Sequence, residues 1–245
     1  MDRWRNGQLH SPISLMADIQ TSGRGRRGRE WESESGHSLT FSIAYPFTRP
    51  GGVAQLSGLS LMCGLTLIHG LSQYFEIPLS TLKASGLGLK WPNDVLVQQK
   101  KLAGILIEGG QSSPESPSWM IIGIGINLHP LKTKEIAQSA FKAGSLEDLL
   151  TPNAEIDALE LWKIISKTYI KQLSKFNEEG FKAFVDEWNQ WNAFQDQYVF
   201  LRQDQQTLAE GQCFGINEDG ALLIKTHEGL QTIHNGDLSL RLNDE

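Results

Sequence analysis

The sequence predicts an α+β fold in two parts: interleaved strands and helices over residues 1–190, then a small all-β barrel or sandwich over residues 191–245. Three observations carry this expectation. The run 39–45 alternates strictly, with Leu39, Phe41, Ile43 and Tyr45 on one side, as a strand with one buried face does. Two long stretches suit helices: 53–75 has no charged residue, and 157–176 places Leu161, Ile165, Thr168, Gln172 and Phe176 on one stripe. Beyond Trp191 come short apolar runs at 198–202, 207–216, 221–226, 230–233 and 238–242, parted by turn signals such as Asn217-Glu-Asp-Gly220 and Asn235-Gly236.

In chain order, residues 1–13 are polar and irregular, and 14–19 form a short strand leading into an arginine-rich loop. The strand at 39–45 ends at Pro46 and Pro50-Gly-Gly52. The uncharged helix 53–75 is long enough to span a bilayer. Its Gln55, Ser57, Ser60, His69, Ser72 and Gln73 make lipid exposure unfavourable, so it reads as a helix buried in a soluble domain. Residues 87–97 and 101–108 read as two strands joined at 98–100 as a hairpin. A Ser/Pro-rich loop, 111–118, precedes an apolar run, 119–128, suited to a buried central strand. Gly123 and Gly125 in it imply that a ligand or another backbone packs closely there. Residues 130–152 are expected to carry short helices, and Phe181, Phe184, Val185, Trp188 and Trp191 outline one more, with its aromatics in the core.

Composition narrows the classes. With 40% hydrophobic residues the chain builds a real core, and a net charge of −6 argues against a basic nucleic-acid binder. Cys63 and Cys213 have no metal-ligand spacing near them and read as buried, reduced thiols of a cytoplasmic protein. Residues 1–15 contain no apolar signal segment.

Positive charge is concentrated in residues 18–31, where Arg24, Arg26, Arg27 and Arg29 are spaced by Gly25 and Gly28. Guanidinium groups grip carboxylate and phosphate, and glycines let backbone N–H groups approach an anion. Two readings stand: a mobile loop closing over a polyanionic ligand with Trp31 to stack on a ring, or else a solvated basic loop or nucleic-acid patch. A second cluster is Lys90-Trp-Pro-Asn-Asp94, where Pro92 breaks the strand and displays Asn93 and Asp94. Lys101, on the returning strand, falls near Asp94; such a pair alone is usually a surface salt bridge. Together the three clusters suit nucleotidyl transfer, which needs positioned cations and a metal, with Asp94 as the candidate Mg²⁺ ligand. No P-loop, dinucleotide fingerprint or Cys/His metal cluster is present in the sequence.

Four segments, Gln20-Thr-Ser-Gly-Arg-Gly-Arg-Arg-Gly-Arg-Glu-Trp31, Lys90-Trp-Pro-Asn-Asp94, Lys101-Leu-Ala-Gly-Ile-Leu-Ile-Glu108 and Gly123-Ile-Gly-Ile-Asn127, resemble those of the biotin protein ligases in order and spacing. The resemblance covers nearly the whole chain. It implies a mixed-sheet catalytic domain followed by a small SH3-like barrel. It also implies ATP, Mg²⁺ and biotin as ligands, biotinyl-5′-adenylate as intermediate and a lysine of a biotin carboxyl carrier domain as acceptor. By motif position Gln20, Arg24, Gly25, Arg26 and Lys101 look like biotin contacts, and Arg29, Trp31, Lys90 and Asn127 like the ATP and adenylate site. Arg26, Lys101 and Asp94 then look catalytic. The implied protein binds neither DNA nor membrane and is a monomer or weak homodimer.

Two features depart from the family pattern. The sequence has no room for the DNA-binding helix-turn-helix of some members. The family's Ser/Thr-rich biotin segment would fall before Met1, so the chain is expected to begin inside the catalytic domain. A catalytically weak remnant of such a ligase is therefore the alternative to a working enzyme.

Overall fold

A computed structural model of the chain describes residues 4, 6–113, 115–131, 142–150, 155–203, 206–234 and 238–242. Strands β1 (Ile13–Ala17), β2 (Ser38–Phe47), β3 (Leu87–Lys90), β4 (Asp94–Val97), β5 (Lys100–Gly110) and β6 (Ser118–Asn127) form one sheet in the order β1-β2-β6-β5-β4-β3. Every neighbouring pair is antiparallel. Residues paired across strands share a face. One row therefore runs Leu39, Ile126, Ala103, Val95 and Leu89, all buried. The opposite face carries the row Ala17, Thr40, Gly125, Gly104, Asp94 and Lys90, which combines small side chains with charged ones.

The apolar face is covered by helices α1 (Leu59–Phe75) and α3 (Ala158–Glu179), with the short α2 (Leu79–Ala84) between α1 and β3. Gly64 of α1 lets Leu89 approach, and Gly70 lets Ile165 of α3 do so; a Cβ there would lie 3.0 and 2.9 Å from those side chains. Tyr169 on α3 donates its buried hydroxyl to the carbonyl of Cys63 at 2.6 Å. Helix α4 (Val185–Trp191) follows, and its Trp188 and Trp191 are core residues, as expected. Both cysteines are free and buried, and burial pushes both thiols up.

β7 (Tyr198–Gln203), β8 (Gln206–Ile216), β9 (Leu222–Thr226), β10 (Gly229–Ile233) and β11 (Ser239–Arg241) make a second antiparallel sheet in the order β10-β9-β8-β7-β11.

Three expectations are corrected. The stretch 53–75 is a 3-10 turn, Gly52–Leu56, followed by α1; Gly58 takes φ +77° between them, and a Cβ there would strike the Phe181 ring. The stretch 87–97 is two strands, because the turn at Trp91-Pro92-Asn93 folds β4 back on β3. Pro46 lies within β2, opposite Trp119, and the strand ends at Phe47. The buried central strand expected at 119–128 is β6. Part of the 130–152 segment and the Asn235-Gly236 turn lie outside the described residues. Among the described residues no helix is long and apolar enough to cross a membrane.

Candidate active site

The polar face of the first sheet opens into a cleft of about 1710 Å³. Gln20, Arg24, Gly25, Arg26, Arg29, Trp31, Lys90, Asp94, Lys101 and Asn127 all line it, so one cavity gathers every residue singled out from the sequence. Toward one end the face carries the row Ile13, Ala44 and Ile121 and is apolar; at the other, Lys90, Asp94 and Lys101 make it ionic.

The arginine segment is a tight hairpin and not an irregular loop. Gly25 N–H donates to Arg29 O at 2.7 Å and Trp31 N–H to Gly23 O at 3.0 Å. A 3-10 turn, Arg26–Gly28, makes the tip, where Arg27 adopts φ 62°. Two arginines tie the hairpin to the sheet. Arg24 Nη2 donates to Glu108 Oε2 at 2.8 Å, and Arg26 Nη1 donates to Asn93 Oδ1 at 3.0 Å. Gln20 is pinned to the far end of the hairpin through its backbone, which exchanges hydrogen bonds with Ser33 Oγ at 3.1 and 3.2 Å.

Trp31 explains the glycines beneath it. A Cβ on Gly125 would sit 2.3 Å from its indole, and one on Gly104 would sit 3.3 Å from it. The close approach expected at Gly125 is thus made by a side chain of the same protein, whereas Gly123 has only ordinary contacts. The indole Nε1 of Trp31 and Oδ1 of Asn127 are buried, with no hydrogen-bond partner among the described residues. Asn127 Nδ2 donates to Lys101 O at 3.2 Å and Gly144 O at 2.8 Å, which aims its amide at the cleft wall.

The ionic end is built on the β3–β4 turn. Lys90 Nζ lies 3.1 Å from Asp94 Oδ2, and Lys101 Nζ lies 2.6 Å from Asp94 Oδ1. The Asp94 side chain is only 11% exposed. Burial raises its carboxyl, but Lys101 and Lys90 outweigh that and hold it far below the usual carboxylate range. Burial lowers the Lys90 ammonium, against the pull of Asp94, and the charges of Lys101 and Arg29 lower it further. The expected role of Asp94 as a Mg²⁺ ligand does not fit this arrangement. Each of its oxygens faces an ammonium group, and a divalent cation there would meet two like charges. Among the described residues no group of three or more His, Cys, Asp or Glu could hold a metal.

Sequence reading gave no role to Asn93, Glu108 or Thr40, which also line the cleft. Asn93 and Glu108 lie inside the quoted motifs, and their partners on the hairpin come from across the fold. Thr40 shows in the sequence only as a polar residue on the other face of β2, a signal that does not tell solvent from ligand. The second domain reaches the rim with Leu238 and Ser239, which no local pattern marks.

A glycine-floored cleft with an apolar end, buried paired ammonium groups and an arginine hairpin above them defines a ligase. Residues 1–127 match the profile of the biotin/lipoate A/B protein ligase family, and residues 197–241 match the biotin protein ligase C terminal domain. The chain belongs to this family. It is 30% identical over 97% of its length to the bifunctional ligase/repressor BirA of Escherichia coli, covering 69% of that protein. It is 29% identical to the biotin--[acetyl-CoA-carboxylase] ligase of Paracoccus denitrificans, over 89% of this chain and 86% of the relative. Its fold matches the biotin protein ligase of Aquifex aeolicus solved with biotin and ATP, with TM-score 0.79 and 30% identity, over 99% of this chain and 94% of that one.

Proposed function

We propose that the protein activates biotin with ATP as biotinyl-5′-adenylate and then transfers the biotinyl group to a lysine of a biotin carboxyl carrier domain. The observation that carries this reading is the juxtaposition of Lys90, Asp94 and Lys101 with the arginine hairpin at the ionic end of a cleft whose other end is apolar. An apolar acyl chain ending in a carboxylate matches that division.

In the first step a biotin carboxylate oxygen attacks the α-phosphorus of ATP, and the bond to the β-phosphate oxygen breaks, releasing pyrophosphate. Negative charge grows on the α-phosphoryl oxygens, where Lys101 and Arg26 supply fixed positive charge. Asp94 orients the Lys101 ammonium, and Lys90 supports Asp94 from behind. In the second step the neutral amine of the carrier lysine attacks the acyl carbon, the acyl–phosphate bond breaks, AMP leaves with its electron pair, and the amide nitrogen gives up its extra proton to solvent. Gln20, Arg24 and Gly25 flank the biotin end, while Arg29, Trp31 and Asn127 frame the nucleotide. Trp31 Nε1 and Asn127 Oδ1 offer a base one donor and one acceptor.

A nucleic-acid role for the arginines has less support, since Arg24 and Arg26 are turned onto Glu108 and Asn93. Biotin-dependent exchange of labelled pyrophosphate into ATP tests the first step, and labelling of an apo carrier domain tests the second. Folded protein that does neither would overturn the proposal.

A further inference from the structure

The β3–β4 turn is held from the second domain as well as from its own sheet. Ala193 N–H donates to Leu89 O at 2.8 Å, one residue before Lys90. The Trp91 indole, 3% exposed, donates through Nε1 to Gly220 O at 3.1 Å. Ser60 Oγ donates to Pro92 O at 3.0 Å, and Asn93 O accepts from Ile105 N–H at 3.1 Å. Gly220 closes a turn that its own sequence stiffens. Asn217 O accepts from Gly220 N–H at 2.9 Å, and Asn217 Oδ1 accepts from Asp219 N–H at 3.1 Å and Ala221 N–H at 2.9 Å. Gly220 has φ +75°, and a Cβ on it would lie 3.0 Å from Gly58 Cα and from Leu61 Cδ1. Ser57 Oγ donates to Asp219 O beside it. The turn is therefore seated backbone to backbone at the start of α1, where only glycines fit.

From this arrangement we infer that Trp91 and Gly220 are positioning residues: the 217–220 turn of the second domain holds the Lys90–Asp94 turn in place and so sets where the two ammonium groups point. This rests on the function proposed above. Neither residue lines the cleft, so each acts through Lys90, Asp94 and Lys101. A shift of the turn would leave ligand contacts on the hairpin intact but misplace the charges that meet the α-phosphate. The rate constant then suffers more than substrate binding does.

The test compares the full chain with Trp91→Phe, which keeps a ring and removes the donor, and Gly220→Ala, which pushes the turn off its seat. Trp91→Phe is expected to lower kcat of biotin-dependent pyrophosphate exchange about tenfold, with KM for biotin and ATP changed less than about twofold. Amide hydrogen exchange supplies a readout that needs no activity. Exchange at Ile105 N–H, whose acceptor is Asn93 O, should quicken in both variants while amides of β8 and β9 keep their wild-type rates. Unchanged kcat in folded Trp91→Phe, or quickening spread evenly over both sheets, would overturn the inference. Wild-type protein without exchange activity would sink the proposed function instead, and the Ile105 amide would still decide whether the turn is held from Gly220.

Discussion

Asp94 is the residue on which the ionic end turns, because one buried carboxylate neutralises two lysines. Its folded pKa lies below its unfolded value. The contribution to stability is therefore fully present above the ordinary Asp pKa of about 3.9 and is lost as pH falls through the folded one. Asp94→Asn removes that dependence and leaves Lys90 buried without its counter-charge. Breaking a buried pair in this way costs about 3–5 kcal/mol. Urea unfolding of both proteins between pH 3 and pH 7 checks it: the gap should be widest near neutrality and begin to narrow below about pH 4, and a gap independent of pH would refute it. Lys101 is different, being 29% exposed at the cleft. Lys101→Ala and Arg26→Ala should slow adenylate formation about 10²-fold, as loss of other preorganised charges does, with a smaller fall in Tm than Asp94→Asn causes. A large fall in Tm with near-normal rates would reverse the assignment. Such residues were legible because charged groups beside glycine and proline are local signals. The pairing that gives Asp94 its character was legible only in outline. The hairpin brought Lys101 near it, but its buried second partner depends on β3 and β4 being separate strands.

At the scale of elements, strict alternation made β2 legible, since Leu39, Phe41 and Ile43 do face the core. The opposite face of β2 was illegible for a physical reason. Thr40 and Ala44 are also buried, under the arginine hairpin and the cleft, and polarity alone cannot distinguish a wet face from a ligand-facing one. Pro92 marked the break between β3 and β4, but the folding of β4 back on β3 was not legible, because Trp91 and Val95 are strand formers on either side of it. The hairpin itself was expected to be a mobile loop, yet its glycines serve a regular purpose. A Cβ on Gly23 would lie 2.1 Å from Trp31 O, so the hairpin closes only with glycine there. Its tip, with Arg27 exposed in the left-handed region, remains open to protease. Trypsin cleavage after Arg27 should slow when biotin and ATP are bound together, because anionic ligand beneath the hairpin adds to the Arg24 and Arg26 anchors. Equal cleavage rates with and without ligand would count against closure. A side chain at Gly125 tests the other wall of the same slot: Gly125→Val should expel the Trp31 ring, red-shift its fluorescence and raise KM for ATP, while a spectrum like that of wild type would show that the ring had room.

For the molecule as a whole, the sequence marked a change of pattern near Trp191 but not how tightly the two parts are joined. Residues 191–197 belong to both. Ala193 N–H bonds to Leu89 O, and Cys213 N–H bonds to Gln197 O at 2.8 Å. Asn189 of α4 bonds both ways with the backbone of Ile216, at 2.9 and 3.2 Å. Apolar packing is continuous as well. Trp188, Trp191, Phe194, Cys213, Ile216 and Leu240 belong to the same buried cluster as the helices and the first sheet. Sequence pattern reports where strands replace helices. It does not report that a turn made of Asn217 and Gly220 has its seat 162 residues from Gly220, at Gly58, since that contact is between backbones. Domains joined by small polar contacts unfold separately, whereas domains sharing a core lose it together. The expected outcome is a single calorimetric transition whose van't Hoff enthalpy equals the calorimetric one, with the near-ultraviolet signal of the tryptophans lost in the same step as β-sheet circular dichroism. Gly220→Ala should lower that transition without splitting it, because the shared core around Trp191 and Phe194 remains. Two resolved transitions in the unaltered chain would show that the 217–220 turn docks on an independently stable catalytic domain.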